Sequence, residues 1–141
     1  MEIEMAISDT PPEHIVQSAL LQNKAESAVG LKIACRIIQQ WGASADQIEQ
    51  ILNLPYDLCQ EAIEMAEVSL QPDQLHRIAL VLDIHASLRS LFMNPDNVKG
   101  FITMQNYNAF FAGQTPLELL ASGDMDELIR LKEHLSGLLI S

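Results

Sequence analysis

The sequence predicts an all-α fold, and three observations carry that prediction. Apolar residues recur at i, i+3, i+4 and i+7 through most of the 141 residues, as in Leu75, Ile78, Ala79 and Leu82, which puts them on one face of a helix. Runs that alternate apolar and polar residues, the mark of a half-buried strand, are nearly absent. Helix punctuation is dense: Ser44-Ala-Asp-Gln47 and Thr115-Pro-Leu-Glu118 read as capping boxes, and Gly42 and Gly123 come after apolar runs as natural stops. With 48% hydrophobic residues the chain can bury a sizeable core, which excludes disorder as an overall description.

Taken in order, residues 1–10 read as an acidic leader, and Pro11-Pro12 opens a helix with Ile15, Val16, Ala19 and Leu20 on one face. Gly30 is placed to break or kink the next helix. That helix, a stronger one from about Lys24 to Trp41, sets Ala34, Ile37, Ile38 and Trp41 at core spacing. The Ser44 box starts a short helix with Ile48, Ile51 and Leu52 inside, and Asn53-Leu54-Pro55 forms a tight turn. Pro55 suits the first position of a helix that carries Leu58, Ala62, Ile63 and Met65 before Ser69 and Pro72 end it. A long helix then runs from Pro72 to Met93. Helix, three-residue turn and helix, after a longer helix, has the proportions of a helix-turn-helix unit.

Asn94-Pro95 restarts the chain as N-cap and first helical residue of a short helix with Val98, Phe101 and Ile102. Residues Gln105 to Gln114 form a loop too aromatic for a solvated linker. Thr115 caps a short helix through Leu119 and Leu120, and Asp124 with Glu127 repeats the capping box for a last helix bearing Leu128, Leu131, Leu135, Leu138 and Leu139. The organisation expected is a leader at 1–10, a helix-turn-helix-like bundle at 11–93 and a small helical C-terminal domain at 94–141.

Charge narrows the function. The formal net charge is -11, and residues 1–70 hold 11 acids against 3 bases, while residues 71–141 hold 8 against 5. Phosphate contacts dominate nucleic-acid affinity, so a field of this sign favours a protein partner over DNA. No apolar run approaches the roughly 20 residues that cross a bilayer, and the N-terminus lacks the positive flank of a signal peptide, so the cytoplasm is the expected compartment. Cys35 and Cys59 each sit in an apolar helical pattern and read as buried free thiols.

No enzyme signature stands out. His14, His76, His85 and His134 fall on four separate segments, and no HExxH, Cys-x-x-Cys, GxSxG or glycine-rich phosphate loop occurs. The reading is a protein without catalytic residues, metal ligands or cofactor.

The order and spacing of Asn106, Phe110, Gly113, Thr115-Pro116-Leu117, Leu120 and Gly123, with a leucine-rich helix after them, resemble the toxin-binding domain of Xre/MbcA/ParS antitoxins. Upstream, Arg36, Trp41-Gly42-Ala43-Ser44, Ile51-Leu52, Leu75, Arg77-Ile78, Leu88 and Leu91-Phe92 resemble the Xre-like region of the same family, so the likeness spans roughly residues 30 to 139. The resemblance implies a type II antitoxin, homodimeric or part of a larger assembly. Its implied partner is a RES-domain toxin, an NAD-consuming enzyme whose active-site cleft it occludes.

The resemblance also implies an N-terminal region that binds the operon's promoter, and a helix-turn-helix regulator is the alternative reading. Here the sequence departs from the family. The helix in recognition position, from Pro55, carries Asp57, Glu61, Glu64 and Glu67 with no lysine or arginine, and four carboxylates would face phosphates without counter-charge. A third reading is a stand-alone interaction protein without a toxin.

Six residues are the candidate partner contacts: Phe111, Arg130, Lys132, Leu138, Leu139 and Ile140. The tail beyond Ser136 ends apolar without a charged cap, which suits insertion into a cleft or a dimer seam as well as a last turn folded on its own core. Arg130 and Lys132 can reach an acidic rim, although exposed helix charges are usually solvated. Phe110 reads as a core plug and Phe111 as either plug or contact.

Overall fold

The structure, a computed structural model, describes residues 23–140, and across them the chain is all-helical. The leader, the helix expected from Pro11 and His14 lie outside the described residues. Seven helices stand in this order: α1 Lys24–Gln40, α2 Ala45–Leu52, α3 Tyr56–Ala62, α4 Pro72–Leu91, α5 Pro95–Thr103, α6 Pro116–Leu120 and α7 Met125–Ile140.

Local signals set most boundaries. Asn23 caps α1 by accepting from the Glu26 N–H at 2.8 Å. Gly42, at φ 95°, takes the left-handed turn that lets the chain leave α1 past Trp41. The capping boxes at Ser44–Gln47 and Thr115–Glu118 are both reciprocal, each side chain satisfying the other's exposed N–H. A further one, Gln71 with Gln74, starts α4.

Expectations are corrected at four places in the chain. Gly30 neither breaks nor kinks α1; it is buried within an uninterrupted helix, because the packed face of α1 supplies more than the ~1 kcal/mol that a helical glycine costs. The helix after Pro55 ends at Ala62, and Ile63, Glu64 and Met65 continue only as tighter i→i+3 turns, bonding to Gln60, Glu61 and Ala62 carbonyls. Glu61 and Glu64 repel the negative end of the helix dipole, and no base stands in the last turn to offset them. Ile63 is consequently 67% exposed rather than in the core. Only Asp57 and Glu61 of the four carboxylates lie on α3; Glu64 and Glu67 lie on the non-helical stretch of chain after it. Pro55 is the N-cap rather than the first helical residue, and since it lacks a capping side chain the Glu49 carboxylate accepts from the Tyr56 N–H at 2.7 Å instead.

The third correction concerns the cysteines. Cys35 of α1 and Cys59 of α3 are joined as a disulfide, their Cα atoms 6.1 Å apart. Each lies on the buried face of its helix, and the packing of α3 on α1 sets the two faces opposite one another, a juxtaposition that the 24-residue separation conceals in sequence. In the chain-entropy picture, opening a loop of this length costs about 3 kcal/mol. Reductant is therefore expected to lower the urea midpoint of the native protein, and an unchanged midpoint in dithiothreitol would show that this link does not form.

The fourth correction is at α7. Asp124 accepts from the Asp126 N–H at 3.0 Å, but Glu127 turns outward to Arg130 at 2.6 Å and does not complete the box.

One continuous core runs through both halves of the chain, from Leu31, Ile38 and Trp41 to Leu120, Leu128 and Leu131. Its backbone is the α4–α7 seam. Arg77 near the start of α4 donates to the Gly123 carbonyl just ahead of α7 at 2.9 Å, so the two helices begin side by side. Arg77 is 6% exposed, and it also reaches the Gln50 and Ile51 carbonyls at 3.3 Å and Asp73 at 2.9 Å. The Asn53 amide and then the Arg77 guanidinium hold the Asp73 carboxyl below the usual carboxylate range, against the opposing effect of partial burial.

Gly123 is fixed on two counts. Its φ is +84°, and a Cβ there would lie 2.9 Å from Gln50 Oε1. Gly123→Ala is expected to cost about 1–2 kcal/mol through the left-handed backbone alone, read as a lowered melting temperature at unchanged helicity.

Candidate protein-interaction surface

The sequence-predicted contacts fall on two adjoining features of the C-terminal third, the loop after α5 and the outer face and end of α7. The loop is a locked structure. Asn106 receives the Gly113 N–H on its carbonyl at 2.9 Å, donates its own N–H to Gln114 at 3.1 Å, and accepts the Asn108 N–H on its side chain at 2.9 Å. Asn108 repeats this with Phe110 at 3.0 Å, two successive Asx turns that need no helix or sheet to satisfy the backbone. Ala112 and Gly113 both take positive φ, at 53° and 87°, and turn the chain back toward Thr115.

The two adjacent phenylalanines differ in burial. Phe111 is 2% exposed and plugs the core, enclosed by the rings of Phe101, Phe110 and His134; this corrects its reading as a partner contact. Phe110 remains half-buried. All four phenylalanines of the chain converge here: Phe92 meets Phe101 at 5.6 Å between centroids, Phe101 meets Phe111 edge-on at 5.8 Å, and Phe111 meets Phe110 edge-on at 4.9 Å.

The cluster ends on α7. The His134 imidazole stacks on Phe110 at 4.3 Å and 15°, and Arg130, one turn earlier, places its guanidinium carbon 4.9 Å from the centre of the same ring. Arg130 thus stands in a fixed position, held by Phe110 and by Glu127, with a side chain that is 53% exposed. A cation held in place loses less rotamer entropy when a carboxylate arrives than a freely waving one does. Lys132, two residues on and so nearly on the opposite side of α7 from Arg130, is half-buried and does not join that patch.

Beyond Leu135, the last core residue of α7, Leu138 is 48% exposed, Leu139 45% and Ile140 84%. Of nine large apolar side chains exposed among the described residues, six lie between Met93 and Ile140, including Met104 and Tyr107 in the loop region, so exposed apolar surface is concentrated in this third of the chain. The structure therefore brings Arg130, Leu138, Leu139 and Ile140 to one accessible helix and removes Phe111 from it. Sequence reasoning missed Phe110 and His134 as the support that positions Arg130; their spacing to one another across the loop gave no signal.

The surface that a DNA-binding reading requires has the opposite character. Asp57, Glu61, Glu64 and Glu67 are all exposed, with Cys59 and Ala62 facing inward. Among the described residues no group of three histidine, cysteine, aspartate or glutamate side chains is placed to hold a metal ion, and no helix is long and apolar enough to cross a membrane. No family model matches the chain, and a comparison with curated proteins found no match.

Proposed function

We propose that this protein is an antitoxin that binds a RES-domain toxin and covers its active-site cleft with the end of α7 and the Arg130 patch. The observation that carries the proposal is the exposed apolar end of α7, Leu138, Leu139 and Ile140, set on a helix whose root is clamped in the core by Leu128, Leu131 and Leu135. A rigidly rooted helix end with apolar side chains and one held guanidinium suits insertion into a concave, partly charged cleft. The sequence resemblance to Xre/MbcA/ParS antitoxins supplies the class of partner, and the acidic overall charge suits a basic protein surface.

The test is co-expression with a RES-domain toxin, taken from beside this chain's gene if one is encoded there. The doubly substituted Leu139→Glu, Ile140→Glu variant is expected to weaken binding by about 100-fold, two buried anchors at roughly 1.4 kcal/mol each. NAD consumption by the toxin should return, while the variant's melting temperature stays within a few degrees because neither residue is in the core. Undiminished binding by the variant, or the absence of any bound RES-domain protein, would sink the proposal and leave a stand-alone interaction protein. Promoter binding is disfavoured by the four exposed carboxylates at and after α3, and a mobility shift with the upstream DNA at moderate salt is expected to be negative.

A further inference from the structure

A cleft of about 330 Å³ opens where the end of α1, the second half of α4 and the start of α5 meet, well away from α7's exposed end in sequence and in the contacts that form it. Its size is at the lower end of small-molecule sites. We infer that this cleft binds a small aromatic anion, a planar ring bearing a phosphate or carboxylate group, held between Trp41, His85, Arg89 and Lys99.

The charge at the cleft is the first argument. Arg89 and Lys99 both line it, and among the described residues neither stands in an ion pair, whereas Arg77 and Arg130 are paired with Asp73 and Glu127. In a chain of net charge -11, two cations without carboxylate partners on one concavity form a local positive field against the background. Asp96 is the one carboxylate in the lining, so the lining's balance stays positive. Arg89 spans only to the Met93 carbonyl at 3.5 Å, which leaves most of its guanidinium donors open.

The rings are the second argument. Trp41 is almost fully buried and forms the floor, with the His85 ring 6.2 Å away and tilted by 44°. The Trp41 indole N–H donates to His85 Nδ1 at 3.4 Å. An Nδ1 that accepts carries no proton, so the neutral imidazole bears its hydrogen on Nε2, a donor not otherwise engaged. Burial and then the Arg89 charge lower the His85 pKa, which keeps the ring in that neutral form near pH 7. Pro95 and Val98 supply an apolar wall. Two cations, flat and apolar surface and an N–H donor in one lining match a ring joined to an anion better than either part alone.

Trp41 is the chain's only tryptophan, so its fluorescence reads this cleft directly. Adenosine monophosphate is the phosphate probe and salicylate the carboxylate probe, with inorganic phosphate and adenosine as the separated halves. At least one of the two complete probes is expected to give a saturable change below about 10 mM, an upper bound that corresponds to weak but specific affinity. Inorganic phosphate and adenosine should each bind at least about tenfold more weakly, and so should the complete probe to Arg89→Gln and Lys99→Gln, each of which removes a charge-assisted contact. Arg89 and Lys99 are exposed, so these variants keep their fold, which a thermal melt checks; Lys24→Gln, exposed at the start of α1 and outside the cleft, is expected to bind the probe as the unaltered protein does. No saturable change with either complete probe, equal binding of phosphate alone, or undiminished binding by the Arg89→Gln, Lys99→Gln double variant would each overturn the inference. Because the readout needs no toxin, it stands or falls independently of the antitoxin proposal.

Discussion

Phe111→Ala is expected to destabilise the protein by about 4 kcal/mol, while Phe110→Ala, one residue away, costs about 1–2 kcal/mol. The difference comes from burial. Phe111 is enclosed by Phe101, Phe110 and His134, and truncating it leaves a void that rigid rings on three sides cannot fill. Phe110 is half-buried, and solvent takes part of the space its ring vacates. Urea denaturation of the two variants, read by far-ultraviolet circular dichroism, checks the ranking. Equal midpoints would mean that the loop does not pin α5 to α7 through Phe111. If the proposed antitoxin function holds, the two substitutions also separate stability from recognition: removing Phe110 takes away one of the two groups that hold Arg130, so Phe110→Ala should weaken toxin binding while Phe111→Ala acts mainly on stability.

Arg77→Met is expected to cost about 3 kcal/mol, although methionine matches much of the arginine's apolar stem. The loss lies in the polar groups that the guanidinium abandons. The Gln50 and Ile51 carbonyls belong to the last turn of α2, where no helical N–H can reach them, and the Gly123 carbonyl lies in the turn before α7. One planar fork serves all three and Asp73 as well, a geometry lysine cannot reproduce, so Arg77→Lys should recover less than half of the loss. For a domain of this size a change of about 3 kcal/mol lowers the melting temperature by roughly 10 °C. A shift under about 3 °C for Arg77→Met would show the carbonyls to be satisfied by water instead.

The contrast between these residues shows where the sequence is legible. Capping boxes at Ser44 and Thr115, the stop at Gly42 and the N-cap at Asn94 are encoded within four residues, and each stands where the pattern puts it. The over-long reading of α3 comes from weighing Ile63 and Met65 as a continuing apolar face while passing over Glu61 and Glu64 at a helix end. Phe110 and Phe111 are not separable in sequence, because their burial depends on how the whole loop lies against α5 and α7, and alanine at 112 gives no warning of its φ of 53°. The Cys35–Cys59 link depends on how α3 lies across α1, which no local signal encodes. Arg77 is readable in part: it stands in register with Val81, Ile84 and Leu88, so an arginine on that apolar stripe has to be either an error of register or a buried charge with partners.

Of the surface residues, Leu138, Leu139 and Ile140 are legible in sequence as three consecutive apolar residues, more than one face of a helix can bury, and Arg130 as a cation on the same helix. Their support is not. His134 and Phe110 are 24 residues apart, and only the fold of the loop brings the rings into contact.

The fork of Arg77 bears on whether the C-terminal third can travel. Recombination that joins new effector-recognising segments to an old scaffold works when the joint crosses few contacts. Here a cut near Asn94 would sever the Gly123 carbonyl from the only guanidinium that reaches it among the described residues and split the core between Ile84 and Leu131. A chimera that takes residues 94–141 from this chain should fold only on a host that offers an arginine at the matching position of its long helix. If the end of α7 is the partner contact proposed above, changes of partner are expected to accumulate there by point substitution rather than by exchange of whole segments.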